Sequence, residues 1–163
     1  MSNSNASATR DEPQPRAAKG RLLALDLGTK RIGVAISDEL QLSVRSLPPL
    51  KRAGWKQLLK QISELRHTFD AQAVVIGLPL RLDGTQGDAA LKAHLIARNL
   101  SLSLHVPIYL QDERLTSQAA EKFLRDSGFK GKELTNLLDG EAAVLILEDF
   151  ISRMSLKKKS NKE

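Results

Sequence analysis

The run Leu22-Leu23-Ala24-Leu25-Asp26-Leu27 constrains this chain more than any other segment. Side chains alternate across a strand, so Leu22, Ala24 and Asp26 share one face and Leu23, Leu25 and Leu27 the other. Both faces are apolar enough to be buried, and the rest of the chain has to supply a layer on each side. Asp26 is the anomaly. A carboxylate at the end of such a strand needs hydrogen bonds, a cation or a metal to offset its desolvation. It can equally cap the Gly28-Thr29 turn through backbone N–H groups. The strand alone leaves both readings open.

The layers follow from the pattern downstream. Arg31–Ser37 is a second short apolar strand, joined to the first across Gly28-Thr29-Lys30, a compact turn that favours a hairpin. Leu42–Leu47 reads as a weaker third strand, stopped by Pro48-Pro49. Trp55, Leu58, Leu59, Ile62, Leu65, His67 and Phe69 recur at roughly helical spacing and predict an amphipathic helix over 53–69. A buried strand Ala73–Gly77, a helix over 87–104, a strand Ile108–Gln111 and helices over 117–127 and 132–152 complete the order. Three antiparallel strands followed by strand–helix alternation predict an α/β fold, a mixed sheet with helices on its faces.

At 163 residues the chain has the length of one domain. It has no cysteine, which excludes disulfide scaffolds, thiolate metal sites and a cysteine nucleophile. No apolar run approaches the ~18 residues of a membrane span, and the N-terminus lacks the apolar core of a signal peptide. The expectation is a cytoplasmic protein with no membrane partner. The net charge of +6 invites a nucleic-acid reading, but its location weakens that inference. Residues 153–163 carry +4, residues 1–20 carry +1, and 21–152 also carry only +1. Residues 1–20, rich in Ser, Asn, Ala and Pro, predict a disordered extension; 21–152 form the folded domain, and 153–163 read as a basic disordered tail.

Two further acidic positions stand out. On the last helix, Asp139 precedes Ala142, Ala143, Ile146 and Phe150 at i+3, i+4, i+7 and i+11, which puts it on the inward stripe. The two alanines let that helix approach the sheet. A helix beginning near Leu138 would instead make Asp139 a first-turn charge facing the macrodipole. Asp112-Glu113-Arg114 follows the strand Ile108–Gln111 and precedes a helix, which marks a strand-to-helix loop of the kind that lines ligand crevices. If that strand runs parallel to the first, its end shares an edge with Asp26. Alternation by itself does not choose between Asp112 and Glu113.

Separated carboxylates converging on one edge repel one another unless a cation joins them. An oxygen-only set, with His67, His94 and His105 forming no ligand pattern, suits Mg²⁺ or Mn²⁺ rather than zinc. Such ions near a phosphodiester support two-metal in-line hydrolysis. Two segments fit around this edge. Gly77-Leu78-Pro79-Leu80 with Asp83-Gly84-Thr85 forms a loop able to turn backbone N–H groups towards a phosphate. Arg45, Lys51, Arg52, Lys56 and Lys60 form a basic ridge with no acidic residue between Glu39 and Glu64. A solvated helix face accounts for that ridge at least as well.

Four motifs in this order carry a family resemblance: Leu25-Asp26-Leu27-Gly28-Thr29-Lys30-Arg31-Ile32-Gly33-Val34-Ala35; Val75-Ile76-Gly77-Leu78-Pro79 with Asp83-Gly84-Thr85; Asp112-Glu113-Arg114-Leu115-Thr116-Ser117; and Asp139 with Ala142-Ala143 and Ile146-Leu147. The chain from Leu22 to Phe150 resembles the YqgF/RuvX family, the Holliday-junction-resolvase-like proteins also described as pre-16S ribosomal RNA nucleases. The resemblance implies a ribonuclease-H-like five-stranded sheet with helices on both faces and divalent-metal hydrolysis of phosphodiesters. It implies a part in maturing the 5′ end of 16S ribosomal RNA, with precursor RNA as the nucleic-acid partner. It also implies catalytic roles for Asp26, Glu113 and Asp139 around a two-ion site, with Asp112 a reserve metal ligand and Thr29, Lys30 and Arg114 as phosphate contacts. The competing expectations are a DNA-junction resolvase acting on branched DNA as a homodimer, and a non-catalytic RNA-binding factor that joins a ribosomal or assembly partner. The Asp26-Leu27-Gly28-Thr29 turn also resembles the first phosphate motif of the actin/sugar-kinase superfamily. Those proteins clamp ATP between two such domains, and this chain has room for one.

Overall fold

The computed structural model describes residues 18–81, 83–113 and 122–161. Of residues 1–20, expected to be disordered, 1–17 lie outside the described residues, while Ala18 packs on the sheet and Gln41 Nε2 donates to Ala18 O at 2.7 Å and Gly20 O at 2.9 Å; the helix expected over 117–127 lies partly outside them. Five strands form one sheet: β1 (Arg21–Leu27), β2 (Arg31–Ser37), β3 (Val44–Lys51), β4 (Ala71–Leu78) and β5 (Ile108–Asp112), in the order β3-β2-β1-β4-β5. β1, β2 and β3 are antiparallel neighbours, while β4 and β5 run parallel to β1. Helix α1 (Trp55–Thr68) connects β3 to β4, and α2 (Asp88–Leu104) connects β4 to β5. After helical residues 122–126 comes the long helix α3 (Gly131–Ser160). Among the described residues no helix is long and apolar enough to cross a membrane.

Strand alternation sorts the core into two layers. Leu23, Leu25, Ile32, Val34, Ile36, Val74 and Ile76 pack with Leu58 and Ile62 of α1 and Leu100 of α2. The opposite face offers Leu22, Ala24, Ala35, Ala73 and Val75, against which α3 lays Ala143, Ile146, Leu147 and Phe150. The alanines on both sides of that second interface bring the helix close to the strands. A Cβ added at Gly140 would come within 3.1 Å of Ser46 Cβ on β3. Asp26 thus lies on the face of β1 that α3, the helix carrying Asp139, covers. The apolar run Leu22–Leu25 is buried on both faces, at 1% exposure or less.

Two expectations are corrected. The third strand runs through Pro48-Pro49 rather than stopping before them. β3 is an edge strand, and the pairing shifts there: Ile32 faces Leu50 while Val34 faces Leu47, so the prolines occupy an irregularity where no ladder donor is required. The basic end is likewise no disordered tail up to Ser160, because α3 continues to that residue. Leu156 and the lysines beyond Ile151 are good helix formers, and no Gly or Pro interrupts them. Ile151 and Met154 still pack against the sheet-side cluster, and Arg153 pairs with Asp149 at 3.2 Å. Lys157, Lys158 and Lys159 fall in the last turn, where the helix dipole favours cations.

Candidate active site

Because β1, β4 and β5 are parallel, their C-terminal ends share one edge of the sheet, the position at which open α/β sheets bind ligands. Asp26 is the penultimate residue of β1 and pairs across the ladder with Gly33 of β2. On its other flank, one step beyond the Leu25–Ile76 pair, stands Gly77 of β4, which in turn pairs with Gln111 of β5. The carboxylate therefore stands between two residues without side chains, and the surface around it is open to other groups.

Glu113 fills part of that space. β5 alternates so that Ile108 and Leu110 join the α1/α2 layer and Tyr109 joins the α3 layer. Glu113, two steps past the buried Gln111, shares the face of Tyr109 and Asp26. Its backbone N–H donates to Leu78 O at 3.2 Å, which ties the segment after β5 to the end of β4. Its side chain lies over Gly77. A Cβ added there would overlap Glu113 Oε2, sit 3.0 Å from its Cδ and 2.7 Å from Ile146 Cδ1. Gly77 is thus the floor of a seat for Glu113, with Ile146 of α3 beside it.

The seat is electrostatically costly. Glu113 is only 9% exposed, and its Oε2 is buried with no hydrogen-bond partner among the described residues. Burial, then the charge of Asp26, a side-chain hydrogen bond with Asp26 and the charge of Asp112 push its pKa up to about 8. At neutral pH and without a cation, the Asp26–Glu113 pair therefore retains a proton that two isolated carboxyls would have lost. A bare carboxylate oxygen in a buried acidic pair is what a divalent cation relieves, and the donor set of oxygens alone suits Mg²⁺ or Mn²⁺.

The remaining expected residues divide. Of the Asp112-Glu113 choice, Glu113 faces Asp26, whereas Asp112 ends β5 on the alternate position and is half-buried beside it. Asp139 lies in the interior of α3, eight residues past Gly131, which removes the reading of a first-turn charge. Its side chain, and Arg114 entirely, lie outside the described residues. Among the described residues no group of three or more His, Cys, Asp or Glu side chains converges as a metal-holding set; two of the expected carboxylates, Asp26 and Glu113, meet. Thr29 and Lys30 are exposed on the β1–β2 turn, three and four residues beyond Asp26.

Four amides of the loop after β4 are already engaged within the loop itself. Leu80 N–H donates to Leu78 O, Arg81 N–H to Thr85 O, Gly84 N–H to Arg81 O, and Thr85 N–H to Asp83 Oδ1 at 2.9 Å. The basic ridge is not uniform. Arg52 Nη1 donates to Gly28 O at 2.6 Å and its backbone N–H to Lys30 O at 3.2 Å, so Arg52 braces the β1–β2 turn. Lys60 reaches Glu64 at 3.9 Å on the exposed face of α1. Sequence reasoning missed Gly77 as a seat and Arg52 as a brace. The signal for Gly77 was a glycine in an otherwise apolar buried strand, which marks a close approach of another group.

The sheet order and the helices on its faces define a ribonuclease-H-like α/β fold. Residues 20–153 match the family model described as RuvX, Holliday junction resolvase, and the chain belongs to that family of phosphodiester-cutting enzymes. A relative from Syntrophus aciditrophicus, named "Putative pre-16S rRNA nuclease", is 41% identical over 138 residues, spanning 85% of this chain and 92% of the relative. One of the same name from Syntrophomonas wolfei is 39% identical, spanning 85% and 98%. Among solved structures, RuvC of T. thermophilus in complex with a Holliday junction substrate superposes with a TM-score of 0.52 at 22% identity, covering 83% of this chain and 96% of that one. The fowlpox virus Holliday junction resolvase gives 0.50 at 12%, covering 82% and 99%. At these identities the likeness is one of fold.

Proposed function

We propose that this protein is a divalent-metal-dependent nuclease that trims the 5′ end of precursor 16S ribosomal RNA in the cytoplasm. The observation that carries the reading is the half-buried Asp26 against the buried Glu113, whose Oε2 has no hydrogen-bond partner among the described residues, at the strand edge where open α/β sheets bind ligands. Asp26 and Glu113, with Asp139 as the third member, would hold Mg²⁺ or Mn²⁺, and Asp112 stands by at the end of β5. When bound, the ion supplies charge neutralisation at the phosphodiester and acidifies a bound water. The chain's own residues prepare that site. Gly77 leaves the volume that Glu113 occupies, Ile146 walls off solvent, and Glu113 keeps a proton until a cation displaces it. Thr29 and Lys30, with Arg114, contact the flanking phosphates, and the Arg52 brace fixes the turn that carries the first two.

The names of the relatives favour ribosomal RNA, whereas the family description favours a four-way DNA junction. One experiment separates them. A 5′-extended 16S precursor and a four-way junction are each incubated with Mg²⁺, Mn²⁺ or EDTA, using wild type and Asp26→Asn in parallel. Metal-dependent cleavage of the precursor, lost in the variant, is the expected result. Junction cleavage would keep the site and change the substrate. RNA binding without cleavage of either would make this a non-catalytic assembly factor.

A further inference from the structure

A cavity of about 370 Å³ lies between the β1–β2 turn and the start of α3, lined by Gly28, Thr29, Lys30, Arg31, Lys132 and Thr135. Among its described lining residues there are three cationic side chains and no carboxylate, so its chemistry is opposite to that of the Asp26–Glu113 pair two residues away along β1. Each side of the cavity is held in place. Arg52 clasps the turn through Gly28 O and Lys30 O. Arg31 opens β2 on the same face as Ala35, the face that α3 covers. Lys132 stands in the first turn of α3, whose unsatisfied N–H groups add positive potential. Thr135 spends its hydroxyl on Gly131 O at 3.2 Å, so it shapes the wall while the charge comes from the lysines and Arg31.

From this geometry we infer that the cavity seats a phosphodiester group of the nucleic-acid strand next to the one that is cut, with Lys132 as its helix-side contact. Thr135 precedes Asp139 by four residues, a rise of about 6 Å along α3, so the seat lies one helical turn from the candidate acidic site. A strand crossing the sheet edge would then be gripped by its backbone on one side of the reacting phosphate. The inference rests on the nuclease reading for its substrate class, but the seat is tested by binding alone.

The probe is a fluorescein-labelled 12-nucleotide single-stranded RNA, titrated in EDTA so that no cleavage occurs, across a series of salt concentrations. Each phosphate neutralised contributes about 0.7 to the slope of log affinity against log salt for a single strand. Lys132→Gln should lower the slope by about that amount and weaken binding about 3- to 10-fold at low salt. Lys132→Arg should restore both. Lys157→Gln, an exposed lysine at the far end of the same helix, should leave the slope close to that of wild type. An unchanged slope for Lys132→Gln, equal losses for Lys132→Gln and Lys157→Gln, or no RNA binding by wild type would each overturn the seat. Lys132-dependent binding by a protein that cuts neither substrate with any metal would keep the seat and overturn the nuclease reading. Metal-dependent cleavage with no effect of Lys132 would do the reverse.

Discussion

Replacing Glu113 by Gln should stabilise the metal-free protein, and by more as the pH rises. In the folded state the Glu113 carboxyl titrates at about 8 instead of 4.5, because burial and Asp26 disfavour its charge. The sign follows from proton binding. Between those two values the unfolded chain has released the proton while the folded chain still holds it, so the folded state binds more protons and its stability falls as pH rises. Below about pH 4.5 both states are protonated and the term vanishes. Above about pH 8 both are ionised and the loss is complete. A shift of one unit corresponds to about 1.4 kcal/mol, so the accumulated loss is about 3 kcal/mol at pH 7 and about 5 kcal/mol above pH 8. Glutamine cannot ionise and escapes this term, while keeping an amide that can donate to Asp26. Denaturant unfolding of both proteins in EDTA at pH 4, 5, 6, 7 and 8.5 reads the difference directly. The difference should grow by roughly 3 kcal/mol between pH 4 and 7. Parallel stability curves would refute the account of Glu113 as a buried, proton-retaining carboxyl. Repeating the pH 7 measurement with Mg²⁺ should stabilise wild type and have less effect on the variant, because a bound cation would replace the proton on a carboxyl that glutamine lacks.

Other consequences of the same geometry are testable. Asp26→Asn should reduce, without removing, the pH dependence of wild-type stability, since burial of Glu113 remains while the Asp26 charge beside it is lost, and should abolish metal-dependent cleavage while circular dichroism stays unchanged. Gly77→Ala forces a methyl into Glu113 and Ile146, so a destabilisation of about 1–3 kcal/mol is expected, with loss of cleavage exceeding the loss of folded protein. A Gly77→Ala protein with wild-type rate would show that the seat does not position Glu113. Arg52→Ala frees the β1–β2 turn and should weaken RNA binding more than Lys60→Ala, whose side chain is already paired to Glu64, as fluorescence anisotropy would report.

How much of this was legible depends on the range over which each signal acts. The two-faced burial of β1, the β1–β2 hairpin and the helices α1 and α2 follow from periodicities of two and 3.6 residues, which neighbouring side chains impose wherever the segment ends up. Asp26 was conspicuous for the same reason, as a charge breaking a local apolar pattern. Asp139 was assigned to an inward stripe from its helical spacing, and the residues spaced from it, Ala142, Ala143, Ile146 and Phe150, are all buried. Where a local rule failed, tertiary position overrode it. Pro48 and Pro49 end a strand only if a partner needs their N–H groups, and an edge strand with a shifted register does not. The lysine-rich end had the composition of a tail, but α3 had already been nucleated by packing upstream and could propagate through good helix formers.

Sequence alone thus determined most of the elements, the α/β class and the places where candidate carboxylates break an apolar pattern, because these depend on residue type and on spacing along the chain. Only the tertiary structure shows that Glu113, rather than Asp112, shares the face of Asp26, since alternation says that the two face opposite ways but not which way Asp26 faces relative to β5. It also decided that Gly77 leaves the space Glu113 occupies, and that Lys132 and Lys30 line one cavity. Those juxtapositions join residues far apart in the chain, and they exist only once the parallel pairing of β1, β4 and β5 and the packing of α3 have brought their backbones together.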